Sequence, residues 1–121
     1  LASAGPPMLL HGDLHHDNIL SAGRAPWLAI DPKGVVGEPA FEVAAFLRNP
    51  HGRVLRAADP ARLLARRVDI FADALGIERA RLLAWGCAQN VLSAWWSIED
   101  GGDGWQEAIA MAQMMSDGVP G

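Results

Sequence analysis

One stretch near the start of the chain restricts the fold more than any other. His11-Gly12-Asp13-Leu14-His15-His16-Asp17-Asn18 is a polar loop crowded with His and Asp. Short apolar runs flank it, Met8-Leu9-Leu10 before and Asn18-Ile19-Leu20 after. A third run, Trp27-Leu28-Ala29-Ile30, follows turn residues that include Gly23 and Pro26, and stops at Asp31-Pro32. Runs this short, bounded by Gly and Pro, read as strands. The second and third runs make a hairpin, whose two ends lie close in space. Asn18 and Asp31 are therefore expected to be neighbours despite their separation in sequence.

Beyond the hairpin the pattern turns helical. Pro39 to Leu47 reads as a short helix with Phe41, Ala44 and Ala45 on one side. Asp59-Pro60 is an N-cap followed by proline at the first helical position. Leu64, Val68, Phe71 and Leu75 then recur at helical spacing until Gly76 stops the run. Glu78 to Ile98 is a long helix, apolar on most sides, which predicts a central buried element. Gly101-Gly102 ends it, and Trp105, Ala108, Ile109, Ala112 and Met115 form the stripe of a last helix before a frayed tail from Asp117. Asn49 to Asp59 is the one long loop, and His51 in it is expected at the surface. Trp85, Trp95, Trp96, Met111, Met114 and Met115 read as core. The expected class is α+β, mainly α.

The chain has 121 residues, half of them hydrophobic, and a net charge of −4. That suits one domain or one lobe of a larger enzyme. No apolar run is long enough to span a membrane, and with pI ≈ 5.4 and no basic cluster a nucleic-acid partner is not expected. Cys87 stands alone, which excludes an intrachain disulfide and a cysteine zinc site, and points to the cytoplasm. On its buried helix it reads as an inert small hydrophobe. The chain opens at Leu1 without Met, as expected of a piece of a longer protein. Of ten basic residues only Lys33 is not Arg, and it falls beside Asp31.

Reduced to chemistry, the first third of the chain is His-x-Asp, an Asn five residues after that Asp, a hairpin, and a second Asp. A carboxylate near an attacking hydroxyl can accept its proton. An amide oxygen and a carboxylate suit Mg²⁺, a hard ion that takes oxygen ligands. Protein kinases use this set, with a catalytic-loop Asp as base and a later Asn and Asp on Mg²⁺.

The fuller wording resembles the aminoglycoside phosphotransferase family, whose fold is kinase-like. HGDLHHDNIL is similar to its catalytic loop, and WLAIDPKGVVGEPAFEVAAFLRNP to its metal-binding segment and following helix. The DPKG form, with ARLLARRVDIFADALG and VLSAWWSIEDGG, resembles the streptomycin 6-phosphotransferase or aminoglycoside/hydroxyurea antibiotic resistance kinase branch. The resemblance implies that Asp13 is the catalytic base and that Asn18 and Asp31 are the Mg²⁺ ligands. It makes His11 the histidine that supports the loop. Glu42 falls where relatives have Asp, implying a structural contact made by a longer side chain. Pro32 cannot act as the mobile Phe of the protein-kinase Asp-Phe-Gly segment, so no flipping switch is expected there. ATP is implied as phosphoryl donor, and residues 1–121 as the C-terminal catalytic lobe. No glycine-rich phosphate loop and no strand Lys precede Asp13, so the N-terminal nucleotide-binding lobe is absent from this chain. The isolated piece is expected to be inactive and prone to self-association through apolar surface near Met8, Leu9 and Trp27.

Lys33 can serve as a point charge on the transferring phosphoryl, a catalytic role, or as a surface ion pair with Glu38. Glu99, Asp100 and Asp103 cluster after the long helix and could bind a cationic aminoglycoside, or could be a solvated helix end. His15 and His16, adjacent in a loop, are expected to point apart, and Asp17 to be solvated. Two other functions are compatible with the residues. One is a non-catalytic fragment acting as a binding or structural module. The other is a metallophosphoesterase, prompted by Gly12-Asp13-Leu14-His15, which would need further ligands downstream.

Overall fold

The computed structural model describes residues 6–50 and 52–119; His51 lies outside them. The chain folds as a small β corner on a four-helix body. Strands β1 (Met8–Leu10), β2 (Ile19–Ser21), β3 (Trp27–Ala29) and β4 (Val35–Gly37) are followed by helices α1 (Pro39–Leu47), α2 (Pro60–Leu75), α3 (Arg79–Glu99) and α4 (Trp105–Asp117). A single 3₁₀ turn, His16–Asn18, leads into β2. The class is α+β and mainly helical.

The expected hairpin is present. β2 pairs antiparallel with β3, with Ile19 opposite Ala29 and Ser21 opposite Trp27. The ladder continues through Ile30 N–H, which donates to Asn18 O at 2.9 Å. β4 is the element the sequence pattern does not announce. It pairs antiparallel with β1, Leu10 opposite Val35 and Met8 opposite Gly37. Two separate two-stranded sheets result.

Local signals set the helix ends. Asp59 accepts from Arg62 N–H at 3.2 Å, Pro60 occupies the first turn, and Gly76 closes α2 with φ +65°. Glu38, at the start of α1, instead reaches across to α3. The residue is 8% exposed, and its carboxylate takes both Nε and Nη2 of Arg81, the latter at 2.7 Å. This hydrogen bond holds the Arg81 guanidinium above its ordinary pKa, against the opposing effect of burial.

All four helices and Val54 of the long loop supply the core. Leu47, Leu82, Leu83, Met115, Val54 and Val68 are fully buried there. Each such Leu or Val contributes about 1.5–3 kcal/mol on leaving water. α3 and α4 form a close antiparallel pair, and Gly86 permits it: a Cβ there would stand 2.5 Å from Met115 Sδ. Trp85 packs edge-on against Phe41 at 5.6 Å, and Cys87 lies partly buried against the same core.

The long helix is less buried than its composition predicts. Its first half is interior, but Val91, Leu92, Trp95, Trp96 and Ile98 are at least 43% exposed. Trp95 and Trp96 are therefore surface residues and not core: no described element covers them. The expected apolar surface on the β corner is also present: Met8, Leu9, Trp27 and Val36 are 57–77% exposed. No described helix is long and apolar enough to cross a membrane.

Candidate active site

The loop between β1 and β2 is held almost wholly through its backbone. Glu42, in the first turn of α1, turns its carboxylate onto two successive amides, with Oε2 2.6 Å from His11 N and Oε1 3.0 Å from Gly12 N. The sequence assigned Glu42 a structural contact, and the longer side chain makes it with both oxygens. Gly12 has φ +90°, and a Cβ there would collide with Val35 Cγ2 and stand 3.0 Å from Lys33 Cβ. Only glycine satisfies both conditions.

His11 joins this loop to the far end of the hairpin. Its Nδ1 accepts from Asp13 N–H at 3.1 Å, so the ring proton is on Nε2, which donates to Ile30 O at 2.5 Å. His11 O in turn accepts from Lys33 N–H at 2.6 Å and Gly34 N–H at 3.3 Å. The supporting role implied for His11 thus has a geometry: it ties the Asp13 loop to the Asp31 segment. Asp31 has φ +53°, the one positive φ outside glycine among the described residues. Such a conformation is costly for a residue with a Cβ and recurs at functional sites.

Asp13, Asn18 and His15 converge. Asn18 is 9% exposed, and its Nδ2 donates to Asp13 O at 2.9 Å and lies 3.4 Å from Asp13 Oδ2. Its amide oxygen accepts nothing from the described residues. Asp31, exposed, follows Ile30, the ladder partner of Asn18. The backbone bond between Asn18 and Ile30 thus puts Asp31 one residue beyond the ladder partner of Asn18. His15 turns toward Asp13, with Nε2 3.6 Å from Oδ2. His16 turns the other way and stacks on Phe46, ring centroids 4.2 Å apart. Burial first, then the Arg67 guanidinium, pushes the His16 pKa below its ordinary 6.5. The two histidines point apart, as expected, and Asp17 is exposed. Among the described residues no three His, Cys, Asp or Glu side chains gather as metal ligands.

Lys33 is exposed, with its stem against Gly12. The Glu38 carboxylate offered as its surface partner is engaged by Arg81 instead. Arg48, at the end of α1, was not singled out by sequence. It is half-buried; burial lowers its pKa, the Asp13 charge pulls it back up, and its Nε has no partner among the described residues. Arg48 also lines a small cleft with Asn90, Ser93 and Glu107. Glu99, Asp100 and Asp103 are all exposed around the α3–α4 turn. No recorded contact joins them to the loop corner.

Known proteins are similar to this chain in sequence. Streptomycin 6-kinase of Streptomyces griseus is 40% identical over 93 residues, covering 77% of this chain and 30% of that protein. Streptomycin 3''-kinase of Klebsiella pneumoniae is 49% identical over 96 residues, 76% of this chain and 35% of the relative. Hydroxyurea phosphotransferase of Kitasatospora aureofaciens is 40% identical over 93 residues, 77% and 25% respectively. The chain thus spans about a third or less of the length of these relatives. No solved structure matches it. The aminoglycoside/hydroxyurea antibiotic resistance kinase family matches residues 1–101, a span that takes in the loop, both sheets and α1 to α3. Because the match covers most of the chain, this chain belongs to the aminoglycoside/hydroxyurea antibiotic resistance kinase family.

Proposed function

We propose that this chain is the C-terminal, kinase-like catalytic lobe of an ATP- and Mg²⁺-dependent phosphotransferase acting on a hydroxyl of a streptomycin-like aminoglycoside. Family membership and the names of the relatives support the reaction class. The observation that carries the reading is the convergence on Asp13: His11, Asn18 and Glu42 fix the loop, and the same His11 bonds to residues on both sides of Asp31.

In this reading Asp13 accepts the proton of the acceptor hydroxyl as its oxygen bonds to the γ-phosphorus. The bond from that phosphorus to the β,γ-bridging oxygen breaks, and ADP leaves. Asn18 Oδ1 and the Asp31 carboxylate would hold Mg²⁺, which supplies neutralisation of phosphate charge. Lys33 adds a mobile positive charge at the same edge. Glu99, Asp100 and Asp103 would meet the cationic groups of the drug. The nucleotide clamp belongs to an N-terminal lobe outside residues 1–121, and the exposed Met8, Leu9, Trp27 and Val36 face is where that lobe would sit.

The test is transfer of labelled γ-phosphate from ATP to streptomycin by the complete enzyme with Mg²⁺. Product formation supports the reading. No transfer to any of a panel of aminoglycosides or hydroxyurea overturns it. Lys33→Met in the same enzyme separates its two roles. A strong fall in kcat at unchanged Tm marks a catalytic charge, and a kcat within about twofold, under 0.5 kcal/mol of barrier, marks surface charge.

A further inference from the structure

His15 repeats the device seen at His11. Its Nδ1 accepts the N–H two residues on, from Asp17 at 3.2 Å, just as His11 Nδ1 accepts from Asp13. An imidazole nitrogen that accepts carries no hydrogen, so the His15 proton is on Nε2. That nitrogen stands 3.6 Å from Asp13 Oδ2, with the His15 side chain only 22% exposed. The distance exceeds a hydrogen bond, yet it leaves an N–H close to one oxygen, and catalytic contacts of this kind often tighten when substrate binds. Asn18 Nδ2 approaches the same Oδ2 at 3.4 Å. The two nitrogens are themselves 3.4 Å apart. Both carry hydrogens, so neither accepts from the other, and both turn on the carboxylate. Asp13 Oδ1 has no such neighbour recorded among the described residues.

We propose that His15 is a positioning residue that, with Asn18, engages Asp13 Oδ2 and so assigns Oδ1 as the oxygen that takes the acceptor proton. This rests on Asp13 being the base. The physical reason is rotational. A carboxylate free about its Cβ–Cγ bond presents either oxygen to the acceptor and spends part of its time misaligned. Donors on Oδ2 fix the plane and leave the unencumbered lone pairs of Oδ1 outward. A misplaced general base is costly because proton transfer needs hydrogen-bond reach in a single pose. His15 also caps the 3₁₀ turn, and Asn is the substitution that separates the two roles. An Asn side-chain oxygen can still accept from Asp17 N–H, but nothing replaces Nε2–H.

Two measurements decide. In the complete enzyme, His15→Asn should lower kcat about tenfold at unchanged Tm and unchanged KM for the acceptor, equivalent to about 1.4 kcal/mol of barrier. A kcat within twofold of the parent, or a loss of rate that tracks a loss of Tm, overturns the assignment. In the 121-residue chain, ¹⁵N-labelled histidine should show the His15 hydrogen on Nε2, and a hydrogen on Nδ1 overturns it. An active parent with an unaffected His15→Asn variant defeats this inference alone. A parent that transfers no phosphate defeats it together with the function proposed above.

Discussion

The β corner and the helical body are held by different forces. Among the described residues, Leu10 is the one buried apolar side chain that precedes Pro39; the rest lie on the helices or in Val54. The body is held by a packed apolar core. The corner has almost no interior of its own, and its loop is set by backbone donors and acceptors reaching Glu42, His11 and Asn18. The lesson is that the two regions fail separately. Chemistry should be removable without touching stability, and stability removable without touching the chemical groups.

The sharpest break is Asp13→Asn in the complete enzyme. It keeps the side-chain shape and removes the proton acceptor, so kcat should drop by about 10²-fold or more while Tm stays put. A variant keeping more than about a tenth of the rate contradicts the base assignment. The opposite break is Leu82→Ala in the body. Leu82 is fully buried, and truncation there should cost about 2–5 kcal/mol by urea unfolding.

Between these lies Glu42→Ala, which attacks the link itself. It leaves two loop amides without their acceptor, at about 1–3 kcal/mol if they stay dry. The expected result is a fall in kcat with a smaller Tm loss than Leu82→Ala gives, and faster amide exchange confined to His11–Asn18. Exchange rising throughout the helices instead would show that the regions are not separable.

The smallest effect is in pH. His16 has its folded pKa depressed, mainly by burial. Above 6.5 both folded and unfolded forms are neutral and the residue is silent. Below it the unfolded chain takes up a proton that the folded chain resists, so stability declines as pH falls. His16→Phe keeps the stack on Phe46 and should flatten the Tm profile on the acid side. An unchanged acid slope would assign that slope elsewhere.

Legibility in the sequence divides along the same line. Helix bounds came through closely, since Asp59-Pro60, Gly76 and the Pro39 start act locally. The hairpin that brings Asn18 opposite Ile30, next to Asp31, was legible because a tight turn leaves few alternatives. β4 was not, because Val35-Val36-Gly37 is too short to show alternation, and its partner β1 lies across the whole corner. The exposure of Trp95 and Trp96 was hidden for a related reason: periodicity shows that a face is apolar and not whether another element reaches it. The position of Glu42 was legible and its two-pronged grip was not, since that depends on how α1 approaches the loop. Arg48 carried no motif, and only its proximity to Asp13 singles it out.

Glu42 follows the loop it holds by about thirty positions, a separation of 31 residues from His11. As the chain is synthesised, His11 to Asn18 leaves the ribosome before the residue that orders it exists. Closing a loop of that length is slower than forming the local α3–α4 pair, and it waits on a docked α1. The reactive loop is therefore made first and set late. A nascent chain that stalls before Glu42 displays Asp13 without a shape to its site, and one that continues acquires the site when α1 seats on the body.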